Sequence, residues 1–238
     1  MAKLALEVVG LQAWHDGFQI LHGIHFNAAA GEAITLLGRN GSGRTTTLRA
    51  LQGLTGKRAG SILIHGTESI HLPTSKIAHL GMGYCPESRD IFTGLTCEEN
   101  LLLPPSTADT LGGGMSLAEI YELFPYLEER RHLPGTHFSR GEQQMLAIAR
   151  ILRTGANILL LDAVSDGLAP IVEHALIHMI AVLKEQGYTI VMVDQSPLFS
   201  ASLSSRFYLI EHGTIAAQFS SSELPARQDA LNSMLGVV

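Results

Sequence analysis

The stretch Gly38-Arg39-Asn40-Gly41-Ser42-Gly43-Arg44-Thr45 lies between an apolar run, residues 33–37, and a segment predicted to be helical from about residue 43 to residue 51. Its glycines predict a turn whose bare backbone lets successive N–H groups point inward and hold an anion. The dipole of the following helix favours negative charge at the same point. The spacing is that of a phosphate-binding P-loop, with Arg44 where lysine is usual. A simple tight turn is the alternative, and the position between strand and helix favours the phosphate site.

Several positions at the end of this loop have a predicted task in binding ATP. Thr45 would place a hydroxyl on Mg²⁺, and Thr46 would reach a second phosphate. Arginine at position 44 keeps the positive charge, but its planar fork is larger than an ammonium group and approaches phosphate differently. We therefore expect binding to survive and the geometry at the γ-phosphate to suffer. The loop residues predicted to contact nucleotide are Gly38, Asn40, Gly41, Ser42, Gly43, Arg44, Thr45 and Thr46.

A carboxylate follows a second apolar run much later in the chain. Residues 158–161 are Ile-Leu-Leu-Leu, typical of a buried strand, and Asp162 follows directly. In P-loop enzymes an aspartate at the end of such a strand holds Mg²⁺. Asp162 is ordinary taken singly, but together with the P-loop it predicts a magnesium–nucleotide site.

The remaining pattern predicts an α/β fold. Further strands are expected at residues 4–9, 18–26, 61–65, 82–85, 189–193 and 207–210, and further helices at residues 116–124 and 140–152. Another helix is expected to place one apolar face inward, formed by Ile171, Val172, Ala175, Leu176, Met179, Ile180 and Leu183. Together with the P-loop, this alternation predicts a P-loop NTPase core with a mostly parallel sheet. We also expect an N-terminal antiparallel β part. We expect one domain over residues 1–238, with a helical insertion at about residues 94–138 that includes a Gly112-Gly113-Gly114 hinge.

Composition narrows the classes of function. The net charge is −6 and no stretch is rich in Lys or Arg, which argues against a nucleic-acid partner. Mean hydropathy is +0.20, and no apolar run approaches the ~20 residues of a membrane-spanning helix. The N-terminal residues do not have the pattern of a secretory signal. Cys85 and Cys97 match neither a metal spacing nor a disulfide framework, which suits a reducing cytosol.

A longer motif precedes the second apolar run, and it carries a family resemblance. The stretch Phe138-Ser139-Arg140-Gly141-Glu142-Gln143-Gln144-Met145-Leu146-Ala147-Ile148-Ala149-Arg150 resembles the signature motif of ABC-transporter ATPases. The similarity runs from about residue 4 to residue 215 and is closest to the ATPase subunits of branched-chain amino-acid importers. Further matching stretches are residues 83–87, 95–101, 121–125 and 167–170.

The resemblance implies a function and a set of partners. Such ATPases work as face-to-face dimers, so Ser139 and Gly141 would contact ATP held by a second, identical or different, ATPase subunit. Two membrane permeases and, indirectly, a substrate-binding protein are implied, and the chain would lie on the cytoplasmic face of the cell membrane. The solute would be a branched-chain amino acid or a related small polar molecule.

The resemblance also assigns residues outside the P-loop. Glu87 falls where the family has a residue that senses Mg²⁺ and faces the permease, and this importer group often has glutamate there. Gln195 falls where most members have the histidine that contacts the γ-phosphate. Trp14 and His15 flank the position of the ring that stacks on adenine, and the sequence leaves open which of them does so.

Three departures from the family pattern concern catalysis. Ala163 stands where the family has the glutamate that polarises the attacking water, and a methyl group cannot replace it. Loss of a general base removes a rate factor of roughly 10²–10⁴. Arg140 replaces the first glycine of the signature, and Arg44 replaces the P-loop lysine. We therefore expect an ABC-type ATPase with weak or absent turnover at its own P-loop.

Two other functions remain as alternatives. A non-hydrolysing ATP-binding subunit with a regulatory or structural role is supported by Ala163 and Arg44. A soluble ABC protein acting on ribosomes or DNA fits poorly, because it usually needs two ATPase domains or long coiled-coil insertions. The segment of residues 88–92, Ser-Arg-Asp-Ile-Phe, is expected to dock on the permeases, unless Ile91 and Phe92 fold inward against the insertion.

Overall fold

A computed structural model describes residues 3–104, 113–195 and 197–235 of the chain. Its strands are β1 (Leu4–His15), β2 (Phe18–Ala29), β3 (Ala33–Leu37), β4 (Arg58–Ile64), β5 (Thr67–Glu68), β6 (Met82–Cys85), β7 (Ile158–Asp162), β8 (Thr189–Asp194), β9 (Arg206–Glu211) and β10 (Thr214–Ser220). They form two sheets, in the orders β2-β1-β4-β5 and β10-β9-β3-β8-β7-β6. The first is antiparallel, which confirms the predicted N-terminal β part.

The helices lie between and beside these strands. They are α1 (Arg44–Leu51), α2 (Thr74–His79), α3 (Cys97–Leu102), α4 (Leu117–Leu123), α5 (Pro125–Glu129), α6 (Arg140–Arg153), α7 (Pro170–Glu185), α8 (Pro197–Ser200) and α9 (Leu224–Leu235). Short 3₁₀ turns cover Gly135–His137 and Ser221–Glu223. Reciprocal Ser/Thr–Glu capping boxes fix the starts of α3, α4 and α6 by satisfying backbone N–H groups that lack helical partners.

The second sheet positions the site. Every residue of β3, β7 and β8 is buried, as expected for strands covered on both faces. β8 pairs in parallel with β3 on one side and with β7 on the other. The carboxyl ends of the three strands therefore meet at one edge of the sheet, where α/β proteins bind ligands.

The two larger of three apolar clusters flank this sheet. One joins α6 and α7 to the insertion through buried residues such as Leu146, Leu176 and Phe124. The other joins the antiparallel sheet to α1 and to the opposite face of β3, β7 and β8. A layer of this kind buries enough apolar surface to hold the strand ends rigidly.

The predicted insertion is largely helical in its described residues. It contains α3, α4, α5 and the first 3₁₀ turn. The Asn100 side chain fixes the chain just before it, because its Oδ1 accepts from the Phe92 amide and its Nδ2 donates to the Phe92 carbonyl. Gly112 of the predicted hinge lies outside the described residues. The boundary of the insertion stays a prediction.

Several element predictions need correction. In α7, Ile171 is 81% exposed and Ala175 is also exposed, so the predicted apolar face is wrong at its first turns, where the helix extends beyond the core. β1 continues through Gly10 to His15, because bulges let it pair with β2 from Leu4 to His15 and with β4 from Leu6 to Ala13. The elements α2, β5, α8, β10 and α9 were not predicted.

Within the described residues, none of the helices combines the length and the apolar character that crossing a membrane requires.

Candidate nucleotide-binding site

The P-loop connects β3 to α1, as the sequence predicts. Gly43 precedes the first residue of α1 with φ +109°, and a Cβ built there would lie 2.8 Å from Leu21 Cδ2. Gly41 has φ +79° and open space around it. Gly43 therefore needs to be glycine both because of its φ and because a side chain would not fit. Gly41 needs to be glycine because of its φ alone. The result is an exposed turn of backbone at the N-terminus of a helix, which suits an anion.

Gly38 and Ser42 form the buried base of the loop. The Ser42 amide donates to the Arg39 carbonyl at 3.0 Å, and the Gly213 amide donates to the Ser42 carbonyl at 2.9 Å. A Cβ at Gly38 would overlap Ser42 Oγ and the Ile210 carbonyl. These two residues shape the loop, while Asn40, Gly41, Arg44, Thr45 and Thr46 border the cleft above it.

The Arg44 side chain is 7% exposed. It interacts electrostatically with four carboxylates, those of Asp194, Asp166, Asp162 and Glu87. Its Nη2 donates to Asn40 Oδ1 at 3.2 Å, and its Nη1 has no hydrogen-bond partner within the described part of the chain. Burial lowers the pKa of Arg44, and Asp194 and Asp166 oppose that effect. A buried donor without a partner costs free energy, so a phosphate oxygen at Nη1 would satisfy it.

The predicted magnesium ligands meet at the end of β7. Thr45 Oγ1 donates to Asp162 Oδ1 at 3.0 Å, and the Tyr84 hydroxyl donates to Asp162 Oδ2 at 2.9 Å. Asp162 is 1% exposed, and burial raises its pKa although the two hydrogen bonds act in the opposite direction. The carboxylate is thus fixed by both oxygens beside a hydroxyl.

These groups fit Mg²⁺ when nucleotide is bound. Among the described residues, no group of three or more His, Cys, Asp or Glu side chains is arranged to hold a metal ion alone. Mg²⁺ commonly uses one or two protein ligands together with substrate phosphates and water. Thr45 and Asp162 would be those ligands, and the ion would neutralise phosphate charge. Glu87 is exposed and borders the same cleft.

The cleft has a volume of about 400 Å³ and collects most of the predicted residues. His15 borders it, whereas Trp14 is half-buried beneath the Lys57 ammonium, which lies 4.3 Å from its ring centroid. Gln195 borders it at the end of β8. The geometry therefore favours His15 over Trp14 as the ring near the P-loop.

Ala163 also borders the cleft and has an unusual backbone. Its φ is +48°, its amide donates to the Val193 carbonyl at 3.1 Å, and its carbonyl accepts from the Asp166 amide at 3.1 Å. Only a few per cent of non-glycine residues adopt such a φ. The side-chain position predicted for a general base thus faces the nucleotide cleft, and it holds a methyl group.

The signature residues Ser139, Arg140 and Gly141 lie at the start of α6. Ser139 caps α6, where its Oγ accepts from the Glu142 amide at 3.4 Å. Gly141 is buried, and a Cβ there would overlap Val172. Arg140 is exposed and borders a neighbouring cleft that also contains Thr45 and Asp162. An exposed Ser139 and Arg140 are consistent with contact to a second subunit.

Two residues of the site were not predicted. Tyr84 comes from β6, which neighbours β7, and only the strand order brings its hydroxyl to Asp162. Burial and the charge of Asp162 raise the pKa of Tyr84, so it stays a donor. Asp166 borders the cleft, and its Oδ2 accepts a hydrogen bond from Gln195 Nε2 at 3.4 Å. An acidic side chain three residues after Ala163 was the available signal.

Comparison with known proteins defines the class. Residues 21–165 match the family described as ABC transporter. This span covers more than half of the chain, and the chain belongs to that family as an ABC-type ATPase subunit. The predicted family and fold class are therefore confirmed.

Individual relatives and structures are similar over nearly the whole chain. BraG of Pseudomonas aeruginosa, a high-affinity branched-chain amino acid transport ATP-binding protein, is 34% identical over 95% of this chain and 97% of its own. LivF of Archaeoglobus fulgidus, described as a probable branched-chain amino acid transport ATP-binding protein, is 29% identical over 98% and 99%. An ATP-binding subunit of an ABC transporter matches with a TM-score of 0.80 and 26% identity over 98% and 99%. A dimeric ATP-binding cassette with ADP and Pi bound matches with a TM-score of 0.78 and 20% identity over 91% and 98%.

Proposed function

We propose that this chain is the ATP-binding subunit of an ABC importer for branched-chain amino acids or a related small polar solute. The solute class is supported by the relatives BraG and LivF. ATP and Mg²⁺ binding is supported by the P-loop turn, the free Nη1 of Arg44 and the Thr45–Asp162 pair. The last of these carries the proposal, because it brings the phosphate loop and the metal carboxylate into contact.

The chain would work as one half of a face-to-face dimer. Ser139 and Arg140 are exposed at the start of α6, where a second subunit could reach them. The partner ATPase subunit is identical or different. ATP would close the dimer and drive two permeases, with the chain peripheral on the cytoplasmic face of the membrane and a substrate-binding protein delivering the solute.

Permease docking would use residues 88–92. Phe92 is 51% exposed, and the Arg150 guanidinium carbon lies 4.9 Å from the centroid of its ring. Ile91 is half-buried against the insertion core. Together with Arg89 and Asp90, Phe92 borders a groove of about 570 Å³ that would accept an apolar element with a charged rim. The segment thus divides, with Ile91 inward and Phe92 outward.

Nucleotide titration followed by transport measurement tests the function. A fluorescent ATP analogue should bind the folded chain saturably, and Mg²⁺ should strengthen binding. Vesicles that contain the chain, its permeases and its binding protein should accumulate radiolabelled leucine only with ATP inside. No binding at millimolar nucleotide contradicts the proposed ATP site, and nucleotide binding without uptake of any branched-chain amino acid contradicts the solute class.

A non-hydrolysing ATP-binding subunit is the second candidate, and the methyl group of Ala163 in the cleft favours it. Phosphate release distinguishes the two. A chain that binds ATP but releases no phosphate above buffer, even with the protein in excess over ATP, would support the second candidate.

A further inference from the structure

The nucleotide cleft contains one carboxylate, that of Asp166, to which the family resemblance assigns no role. Asp166 borders the cleft together with Arg44, Thr45 and Ala163. It is half-buried, and its side chain contacts neither Thr45 nor Asp162 by hydrogen bond within the described residues. Its carboxylate is therefore available on the side of the cleft where Ala163 presents only a methyl group.

The turn after β7 explains how Asp166 reaches that place. The Asp166 amide donates to the Ala163 carbonyl at 3.1 Å, which closes a four-residue turn. Ala163 itself is held to the end of β8 through the Val193 carbonyl, also at 3.1 Å. The turn reverses the chain at the edge of the sheet and brings residue 166 to the same cleft that residue 163 borders.

The carboxylate is also oriented from a second strand. Gln195 follows β8, and its Nε2 lies 3.4 Å from Asp166 Oδ2, a long hydrogen bond that leaves Oδ1 available to the cleft. Because Gln195 borders the cleft as well, the two side chains form a pair beside the P-loop. A water molecule between them and the phosphates would find an acceptor on each.

The surroundings make Asp166 a better proton acceptor than an exposed aspartate. Burial raises its pKa, and the nearby Glu87 charge acts in the same direction, while Arg44 opposes both. A carboxylate whose ionised form is less well solvated binds a proton more strongly.

We propose that Asp166, oriented by Gln195, holds and deprotonates the water that attacks ATP at this chain's P-loop, in place of the carboxylate missing at position 163. The inference rests on the proposed function, because it requires ATP in the cleft. The water oxygen bonds to the γ-phosphorus as the bond from that phosphorus to the β–γ bridging oxygen breaks. The bridging oxygen leaves on ADP with the electron pair, and Asp166 takes the proton and passes it to solvent.

The test compares Asp166→Asn, which keeps the shape and removes the charge, with Asp166→Glu, which keeps the charge. Affinity for the fluorescent ATP analogue is measured first and should stay within about twofold for both. Single-turnover hydrolysis of radiolabelled ATP, with protein in excess, should slow at least tenfold in Asp166→Asn. It should persist in Asp166→Glu and return when Ala163→Glu is added to Asp166→Asn. Asp229→Asn, an exposed aspartate on α9, is the matched control and should hydrolyse like the wild type.

Different failures have different meanings. A wild-type chain that does not bind ATP overturns the proposed function and, with it, this inference. A chain that binds ATP but never hydrolyses it above buffer, or an Asp166→Asn variant that hydrolyses at the wild-type rate, overturns the inference alone. Circular dichroism checks folding, and Asp166→Ser replaces Asp166→Asn in the same comparison if the latter does not fold.

Discussion

Thr45 Oγ1 donates a 3.0 Å hydrogen bond to Asp162 Oδ1, which joins the first turn of α1 to the end of β7 across 117 positions of sequence. The contact places a hydroxyl and a buried carboxylate where one ion could bind both. We expect Thr45→Ala to abolish the strengthening of ATP-analogue binding by Mg²⁺, because one ligand is lost. Thr45→Ser keeps the hydroxyl and should retain it. Equal Mg²⁺ dependence in Thr45→Ala and the wild type would place the ion elsewhere.

Arg44 should contribute more to binding through its charge than through its shape. Its buried Nη1 awaits an acceptor, so Arg44→Ala should weaken ATP-analogue binding at least tenfold, about 1.4 kcal/mol. Arg44→Lys keeps the charge and should bind within a few-fold of the wild type. Lys76→Ala, on α2, is the control. The hypothesis fails if Arg44→Ala binds ATP like the wild type.

Position 163 should limit turnover. Ala163 faces the cleft, and a glutamate there would add a second acceptor beside the P-loop. We expect the wild-type chain to hydrolyse ATP well below the ~1–10 s⁻¹ typical of enzymes, and Ala163→Glu to raise the rate at least tenfold. Ala163→Gln, with the same shape and no charge, should not.

A negative result at position 163 would direct attention to the neighbouring substitutions. If Ala163→Glu leaves the rate unchanged, Arg44→Lys should be combined with it, since the geometry at the γ-phosphate would then be limiting. A wild-type rate already within the enzyme range would show that position 163 does not limit hydrolysis.

Residues 88–92 should affect assembly more than nucleotide binding. Arg89 and Asp90 both have positive φ, at +69° and +49°, and Arg150 Nη1 donates to the Asp90 carbonyl at 2.7 Å, which holds the segment outward. We expect Arg89→Glu or Asp90→Arg to reduce co-purification of the permeases and to leave ATP binding unchanged, because rim charges mainly alter association.

Arg227→Glu, exposed on α9, is the matched control for this experiment. Undiminished co-purification in both variants would place the docking surface elsewhere. Loss of ATP binding in the same variants would show that the segment supports the fold.

Glu32 should make stability depend on pH. It accepts hydrogen bonds from Arg206 Nε at 2.8 Å and Nη2 at 2.6 Å, and from Ser205 Oγ at 2.6 Å. Burial alone would raise its pKa, but these bonds together lower it below 4.5. Its contribution is therefore present above pH 4.5 and is lost as the pH falls through the lowered pKa.

Glu32→Gln should reduce the free energy of unfolding at pH 7 by about 2 kcal/mol, since it breaks a charge-assisted pair between the turn before β3 and the start of β9. Urea denaturation measures this, and the difference from the wild type should shrink below pH 4.5. Glu129→Gln, an exposed site on α5, is the control. A difference that is constant from pH 7 to pH 3 would contradict the ionic origin.

The sequence by itself determined the strand–loop–helix unit around Gly41 and Gly43, and the buried strand that ends in Asp162. Both are local: a glycine-rich turn has a fixed requirement for backbone conformation, and a short apolar run that ends at a charged residue is typical of a buried strand. The same locality explains why the starts of α1 and α6 were predicted to within a residue or two. Local pattern was misleading at Ile171, because periodicity shows which face of a helix is apolar but not how far the neighbouring core extends.

Only the tertiary structure decided which side chains meet around the nucleotide cleft. Tyr84 reaches Asp162 across 78 positions because β6 neighbours β7, and Asp166 reaches Gln195 because β7 neighbours β8. His15 borders the cleft while Trp14 packs against Lys57, and no spacing within β1 specifies which of the two rings does so. The physical reason is that the partners of a polar side chain at the end of a strand are set by strand order. Strand order follows from the packing of the whole sheet between its two cores.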